Sequence, residues 1–352
     1  MLKWYRARRR DLPWRRTRDP YRIWISEIML QQTTVGAVIP YYEKWLTLFP
    51  DLEGLARAPF QKVLRAWQGL GYYQRARNLH AAAKIFVRDH RGRIPADPET
   101  LLTVPGFGPY TTAAVLSLAF NQPYPVLDAN VRRVMMRVMR IHGQADNRPD
   151  KTILERLNDE IPLRSPGDFN QALMELGALI CRSRNPLCLL CPVQPACRAY
   201  DAGEQEIIPK PKKRSTRHIT AVVGIIEKDG RILIQKRPAA GLLAGLWEFP
   251  GGKMRRGESR EKALAREIKE ELGTEVSRAK FLVKVDHSYT QFQVDLHAFA
   301  CRLKGEPELK AGRRKWIASK DLQKYPFPSG SVKIIRFLEN RSLKGHNTVS
   351  LL

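Results

Sequence analysis

Residues 101–133, LLTVPGFGPYTTAAVLSLAFNQPYPVLDANVRR, decide how the rest of the chain is read. They form a short helix, a turn flanked by glycines, a second helix, and then an acid where the next helix begins. In Val104-Pro105-Gly106-Phe107-Gly108-Pro109 two glycines bracket one apolar residue, which suits a tight turn with φ > 0 and a close approach of backbone to a ligand. Residues 111–120 are apolar with helical spacing, so the free amides at their N-terminus face that turn, where they can bind phosphate whatever the base sequence. A plain helix-turn-helix corner is the structural alternative for the hairpin taken alone.

The chain has 352 residues, enough for two domains that each bury a core. Lys and Arg number 61 against 35 Asp and Glu, a net charge of +26. A polyanionic partner explains that surplus, and nucleic acid leads. Membrane association is the rival, but no apolar run approaches a span and no basic segment adjoins one. The opening MLKWYRARRRDLPW is charged and lacks the apolar core of a signal peptide, so a cytosolic location is expected. Of the five cysteines four are crowded together, which in a reducing compartment argues for a metal site rather than disulfides.

Helical periodicity, broken by Pro and Gly, runs through residues 1–203 and predicts an all-α domain. After Trp14-Arg15, residues 25–49 (ISEIMLQQTTVGAVIPYYEKWLTLF) are expected to run as one helix carrying Glu27 among apolar neighbours. A solvated or structural Glu is the alternative there. In residues 67–86 (WQGLGYYQRARNLHAAAKIF), Gly69 and Gly71 bracket a turn, and Tyr72-Tyr73 precede Arg75 and Arg77. Aromatic residues at a loop tip beside basic ones suit insertion into a base stack; ordinary packing of the tyrosines is the alternative. Asp128 stands at a helix start, where capping amides would hold it ionised.

The pattern Cys181-x6-Cys188-x2-Cys191-x5-Cys197, bounded by Arg182, Arg184 and Arg198, has one short gap where structural zinc usually has two tight pairs. A 4Fe-4S cluster held by four thiolates fits it better.

Together SEIMLQQT, GLGYY, VPGFGPYT, VLDANVRRV, FNQALMELGA and the cysteine loop resemble the MutY family, the adenine DNA glycosylases of the endonuclease III helix-hairpin-helix superfamily. The resemblance covers essentially all of residues 1–200. It implies removal of adenine mispaired with 8-oxoguanine or guanine in double-stranded DNA, by a chain expected to act as a monomer. That base must be flipped out and protonated before it leaves, which needs an acid and a separate anion. Glu27 in its apolar helix is suited to a raised pKa and would protonate adenine, at N7 in this family. Asp128 would face the oxocarbenium ion, either as an electrostatic partner or as a transient nucleophile. The resemblance also implies that Trp14, Arg15, Leu30 and Glu175 line the adenine pocket and that Asn130 orients water or Asp128. It places Gln32 and Tyr72 as wedges in the duplex. Bifunctional relatives carry a lysine at the hairpin position occupied here by Tyr110, so base removal without an efficient lyase step is expected.

Proline and lysine crowd residues 204–217, which read as a basic, extended linker. From 218 to 345 alternating strands and two helices predict a smaller α/β (α+β) domain. Its GGKMRRGESREKALAREIKEELGTEV is similar to the Nudix box, with Thr274 where an aliphatic residue is usual. Glu267, Glu270 and Glu271 fall at i, i+3 and i+4, so one helix face can gather Mg²⁺; a solvated acidic helix capped by Gly273 is the alternative. A C-terminal Nudix-like domain resembling MutT is characteristic of MutY, where it reads 8-oxoguanine. Its intact box here leaves open an added Mg²⁺-dependent hydrolysis of (8-oxo-)dNTPs. The lesion-reading segment usually runs Phe-Ser-His, and Tyr289, Thr290 and Gln291 stand there instead. The competing classes are a bifunctional glycosylase-lyase, a non-catalytic nucleic-acid binder and a nucleotide-pool hydrolase.

Overall fold

Capping acids set four of the helix starts in the first part of the chain. Asp19, Asp51, Asp97 and Asp128 each accept a hydrogen bond from a backbone N–H of the turn they open, to Tyr21, Gly54, Thr100 and Val131 respectively. Pro20, Pro98 and Pro109 take early helix positions, where the missing N–H costs nothing. The computed structural model describes residues 1–144, 146, 149–211, 217–238, 241, 243–288, 292–309 and 312–343.

Its helices in order are α1 (Leu2–Arg8), α2 (Pro20–Leu30), α3 (Val35–Leu48), α4 (Leu52–Arg57), α5 (Phe60–Trp67) and α6 (Gln74–Asp89). They continue with α7 (Pro98–Thr103), α8 (Pro109–Phe120), α9 (Ala129–Met139), α10 (Asp150–Glu160), α11 (Pro166–Leu179) and the single turn α12 (Arg198–Asp201). No helix among the described residues is long and apolar enough to cross a membrane. Contacts divide the chain into two units, Met1–Ala58 with Asn78–Lys213, and Pro59–Arg77 with Arg214–Leu352.

In the first unit the expected single helix over residues 25–49 is two helices. The chain turns over Gln31–Thr34, with Gln32 at φ 57 and the Thr33 hydroxyl donating to the Gln31 carbonyl, and Thr34 opens α3. Adjacent threonines favour such a break, because their branched side chains crowd a helix and their hydroxyls compete for its backbone. Trp24, Phe86 and Phe107 form one aromatic cluster, with centroids 5.4–5.7 Å apart, that seats the hairpin between α7 and α8 on α2. A second core joins α9, α10 and α11 through residues such as Val134, Leu157, Phe169 and Leu176. The start of the expected linker also belongs to this unit. Ile208 is buried in that core, so the run from 204 is anchored before the chain leaves it.

The second unit is built on a mixed sheet of β1 (Arg217–Lys228), β2 (Arg231–Lys236), β3 (Trp247–Glu248), β4 (Gly251–Lys253), β5 (Val276–Ser288), β6 (Phe292–Leu303) and β7 (Arg314–Ala318). Strand β1 runs parallel to β6 and antiparallel to β2 and β4. Alternation along β1 feeds two cores. Val222 and Ile226 pack with Leu264, Ile268 and Leu272 of α13 (Arg260–Leu272), while Val223 and Ile225 join Ile334 and Leu338 of α14 (Ser329–Leu343). Helix α5 and the turn after it are tied into this unit: Trp247 Nε1 donates to Gln61 Oε1 at 3.2 Å, and the Tyr73 hydroxyl donates to the Phe327 carbonyl at 3.3 Å.

Candidate active site

Glu27 is held by the packing of its helix. Tyr21 and the seven consecutive residues from Ile23 through Met29 of α2 are buried, and Glu27 is 4% exposed among them. Tyr110 lies in the first turn of α8, and its hydroxyl donates to Glu27 Oε2 at 2.7 Å. Burial pushes the Glu27 carboxyl up to about 7; the Tyr110 hydrogen bond pulls the other way, and the nearby Asp128 charge adds to the rise.

Asp128 caps α9, accepting from Val131 N at 2.7 Å and from Asn130 Nδ2 at 3.0 Å. Burial raises its pKa, while the hydrogen bonds from Val131 and Asn130 pull the other way and favour the ionised form. Asn130 is fixed in turn: Arg133 donates to its Oδ1 at 2.9 Å, to the Gly177 carbonyl and, through Nε, to the Cys181 carbonyl at 2.8 Å. Gly177 is required at this crossing of α11 on α9, since a Cβ there would stand 2.6 Å from Asn130 Cβ.

One cavity of about 700 Å³ in the first unit brings together Trp14, Arg15, Glu27, Leu30, Gln32, Tyr110, Asp128, Asn130 and Glu175. The sequence does not single out Arg10, Gln31, Leu127, Gln171 or Met174, which line it too. Glu175 is fully buried and receives both Arg10 and Arg15, at 2.7 and 2.8 Å to Oε2. Burial pushes its carboxyl up, but the arginine hydrogen bonds together outweigh that and hold it at about 2. Arg10 is lost to sequence reading inside the run RARRR, and only the fold picks it out. Gln171 accepts from the Tyr5 hydroxyl at 2.7 Å.

Gly106 has φ 88 and Gly108 caps α8 with open space beside its Cα. Neither lines the cavity. Tyr72 belongs to the second unit, exposed, at φ 47 and with the Arg75 guanidinium 5.6 Å from its ring. Tyr289, Thr290 and Gln291 lie outside the described residues.

Cys181, Cys188, Cys191 and Cys197 line one small cavity together with Arg137, and Gln205 adds a buried side-chain oxygen that has no partner. Arg137 is 2% exposed and donates to Cys181 Sγ at 3.2 Å. Among the described residues no three Cys, His, Asp or Glu side chains are grouped so as to hold a single metal ion. Four thiols around a void beside a buried cation are a donor set of the kind an anionic iron-sulfur cluster takes.

The Nudix-like acids are held by donors of the chain itself. Arg266 donates to Glu258 at 2.8 Å, to Glu267 at 2.7 Å and to Glu270 at 3.3 Å, while Glu271 accepts from Gly251 N at 2.9 Å and Gln235 at 2.8 Å. The arginine and the turn amide thus take the carboxylates that were expected to face Mg²⁺. The first two glycines of the box have a packing reason: a Cβ on Gly251 would meet the Val222 carbonyl at 2.2 Å, and one on Gly252 the Glu267 carboxylate at 2.4 Å. Thr274, unusual at its position, accepts from Gly305 N at 3.2 Å.

Residues 25–161 match the family described as HhH-GPD superfamily base excision DNA repair protein, and residues 221–337 match the NUDIX domain. The chain is similar to the adenine DNA glycosylase of Mus musculus, 34% identical over 97% of this chain and 77% of that one. It is similar to those of Homo sapiens (33%, 97% and 73%) and Buchnera aphidicola (32%, 95% and 95%) as well. Among solved structures, a thermostable thymine-DNA glycosylase matches at 34% identity with a TM-score of 0.52, over 57% of this chain and 93% of that one. An endonuclease III bound to DNA shares the fold at a TM-score of 0.50 and 22% identity, over 57% and 92%.

Proposed function

Because the chain belongs to the adenine DNA glycosylase family, DNA N-glycosylases of base excision repair, we propose that it releases adenine opposite 8-oxoguanine or guanine and leaves an abasic site uncut. The observation that carries this reading is a single cavity with a protonatable carboxyl and a capped carboxylate on its wall, Glu27 with a pKa of about 7 and Asp128 at the start of α9.

Glu27 donates the proton that makes adenine a leaving group, and Tyr110 orients its carboxyl. Asp128, aimed by Val131 N and Asn130, faces the positive charge that develops on the sugar as the base departs. Glu175 is ionised, and with Arg10 and Arg15 it forms a rigid polar wall. Trp14 supplies an apolar face, and Gln171 supplies an amide for the base edge. Gln32 and Tyr72, both held at positive φ, are the wedge residues of this reading, and the hairpin glycines Gly106 and Gly108 hold the strand by its phosphates. Tyr110 has no amine, so no Schiff base forms and the strand is not cut.

Cys181, Cys188, Cys191 and Cys197 would hold a 4Fe-4S cluster, which when bound would supply an anionic core to staple the loop. The second unit is assigned to the base opposite adenine, through the segment that includes Tyr289, Thr290 and Gln291. No Mg²⁺-dependent hydrolysis at Glu267, Glu270 and Glu271 is derived, given their hold by Arg266, Gln235 and Gly251. The same reading places the protein in a bacterial cytosol or nucleoid.

Single-turnover release from duplexes carrying A opposite 8-oxoguanine, G, C or T tests this. Release should be fastest opposite 8-oxoguanine, with strand breaks only after alkali. Equal rates for all four partners would end the mispair assignment, and a borohydride-trapped adduct with stoichiometric nicking would end the monofunctional one.

A further inference from the structure

We infer that Arg137 is the counter-charge of the iron-sulfur cluster, fixing the reduction potential and the retention of that cluster rather than only bracing the loop. The inference rests on assigning the cluster to the four cysteines. Arg137 leaves the inner face of α9 fully buried. Its Nε donates to the Ile208 carbonyl at 2.7 Å, Nη1 to the Arg182 carbonyl at 2.7 Å and to Cys181 Sγ at 3.2 Å, and Nη2 to the Ser183 carbonyl at 3.5 Å. Every acceptor is a neutral carbonyl except the sulfur. Among the described residues no carboxylate pairs with Arg137. Glu204, an acid of the neighbouring segment, is taken by Arg140 at 2.8 Å and His142 at 3.1 Å.

A guanidinium stays charged in a protein, so burying one against neutral groups alone is costly. Arg133 adds a second cation on the same side, and it too contacts carbonyls and an amide rather than an acid. Asp128 lends Arg133 a nearby negative charge, but Arg137 has no carboxylate partner among the described residues, which points to an anion that the chain itself does not provide. Thiolates bound to iron supply it: metal binding deprotonates the thiol outright. Charge and N–H···S hydrogen bonds next to a cluster favour its more reduced state, so Arg137 raises the potential.

The test uses the full chain as purified, with Arg137→Gln and Arg137→Lys beside it. Iron and sulfide per chain come first, and a wild-type protein without either removes the cluster assignment itself. In loaded protein, voltammetry should find the Arg137→Gln potential shifted negative, and chelator should strip its cluster several-fold faster than from wild type. Arg137→Lys, which keeps the charge and changes the packing, should stay near wild type in both. An unchanged potential in Arg137→Gln, or an equal shift in Arg137→Lys, overturns the inference. If Arg137→Gln accumulates no loaded protein, cluster retention in Arg137→Lys decides: retention supports the charge role, and equal loss reduces Arg137 to packing.

Discussion

Glu27 sits in a setting unfavourable to charge. The carboxyl pays a desolvation cost that lifts its pKa to about 7, so near neutrality a large share is protonated and able to donate. Release rates should therefore fall as pH rises through about 7, and fall again in acid as Asp128 takes up a proton; a rate that keeps climbing above neutrality would contradict the assignment. Glu27→Gln should cost roughly a hundred- to ten-thousandfold in rate. The same exchange should raise stability. The folded state of the wild type holds the Glu27 proton in the window from the ordinary carboxylate value up to about 7, so wild-type stability declines as pH rises through that window. Denaturation midpoints of Glu27→Gln should exceed wild type by a margin that grows from acid to pH 8. Asp128→Asn keeps an oxygen to cap α9, so DNA binding should stay near normal while adenine release stops.

At the level of elements, three short helices hold the residues at the centre of the cavity: α2 carries Glu27, α8 carries Tyr110, and Asp128 caps α9. The hairpin between α7 and α8 seats Phe107 against Trp24 and thereby sets Tyr110 over Glu27. Gly106 is the residue that permits this turn, with φ 88 and an added Cβ only 3.0 Å from Asn78 Cβ. Gly106→Ala should destabilise the protein by about 1–2 kcal/mol, from the left-handed backbone alone. Urea midpoints would measure this, and an unchanged midpoint would remove the need for glycine. The hairpin, the cap at Asp128 and the Nudix-like helix were legible because each is a pattern within one or two turns of chain. The break between α2 and α3 was not. Periodicity runs across it, and only the threonine pair at 33–34 hints at the turn.

For the whole molecule, a net charge of +26 implies strong binding to DNA of any sequence. With six or more phosphate contacts, affinity should drop roughly a thousandfold or more between 50 and 200 mM salt, so a shallow dependence in a titration series would argue against an extended phosphate surface. The sequence alone determined the order of the motifs, the all-α and α/β parts, the hairpin and the helix that Asp128 starts. These follow from spacing and capping, which are local. Tertiary structure alone decided that Arg10 joins Arg15 on Glu175 across 160 residues or more, and that Arg266 claims Glu258, Glu267 and Glu270 of the box. It also drew 59–77 into the second unit, raised the pKa of Asp128 against its capping amides, and buried Arg137 without an acid. Charge state and ion pairing depend on which distant surfaces exclude water, and no reading of neighbours along the chain contains that information.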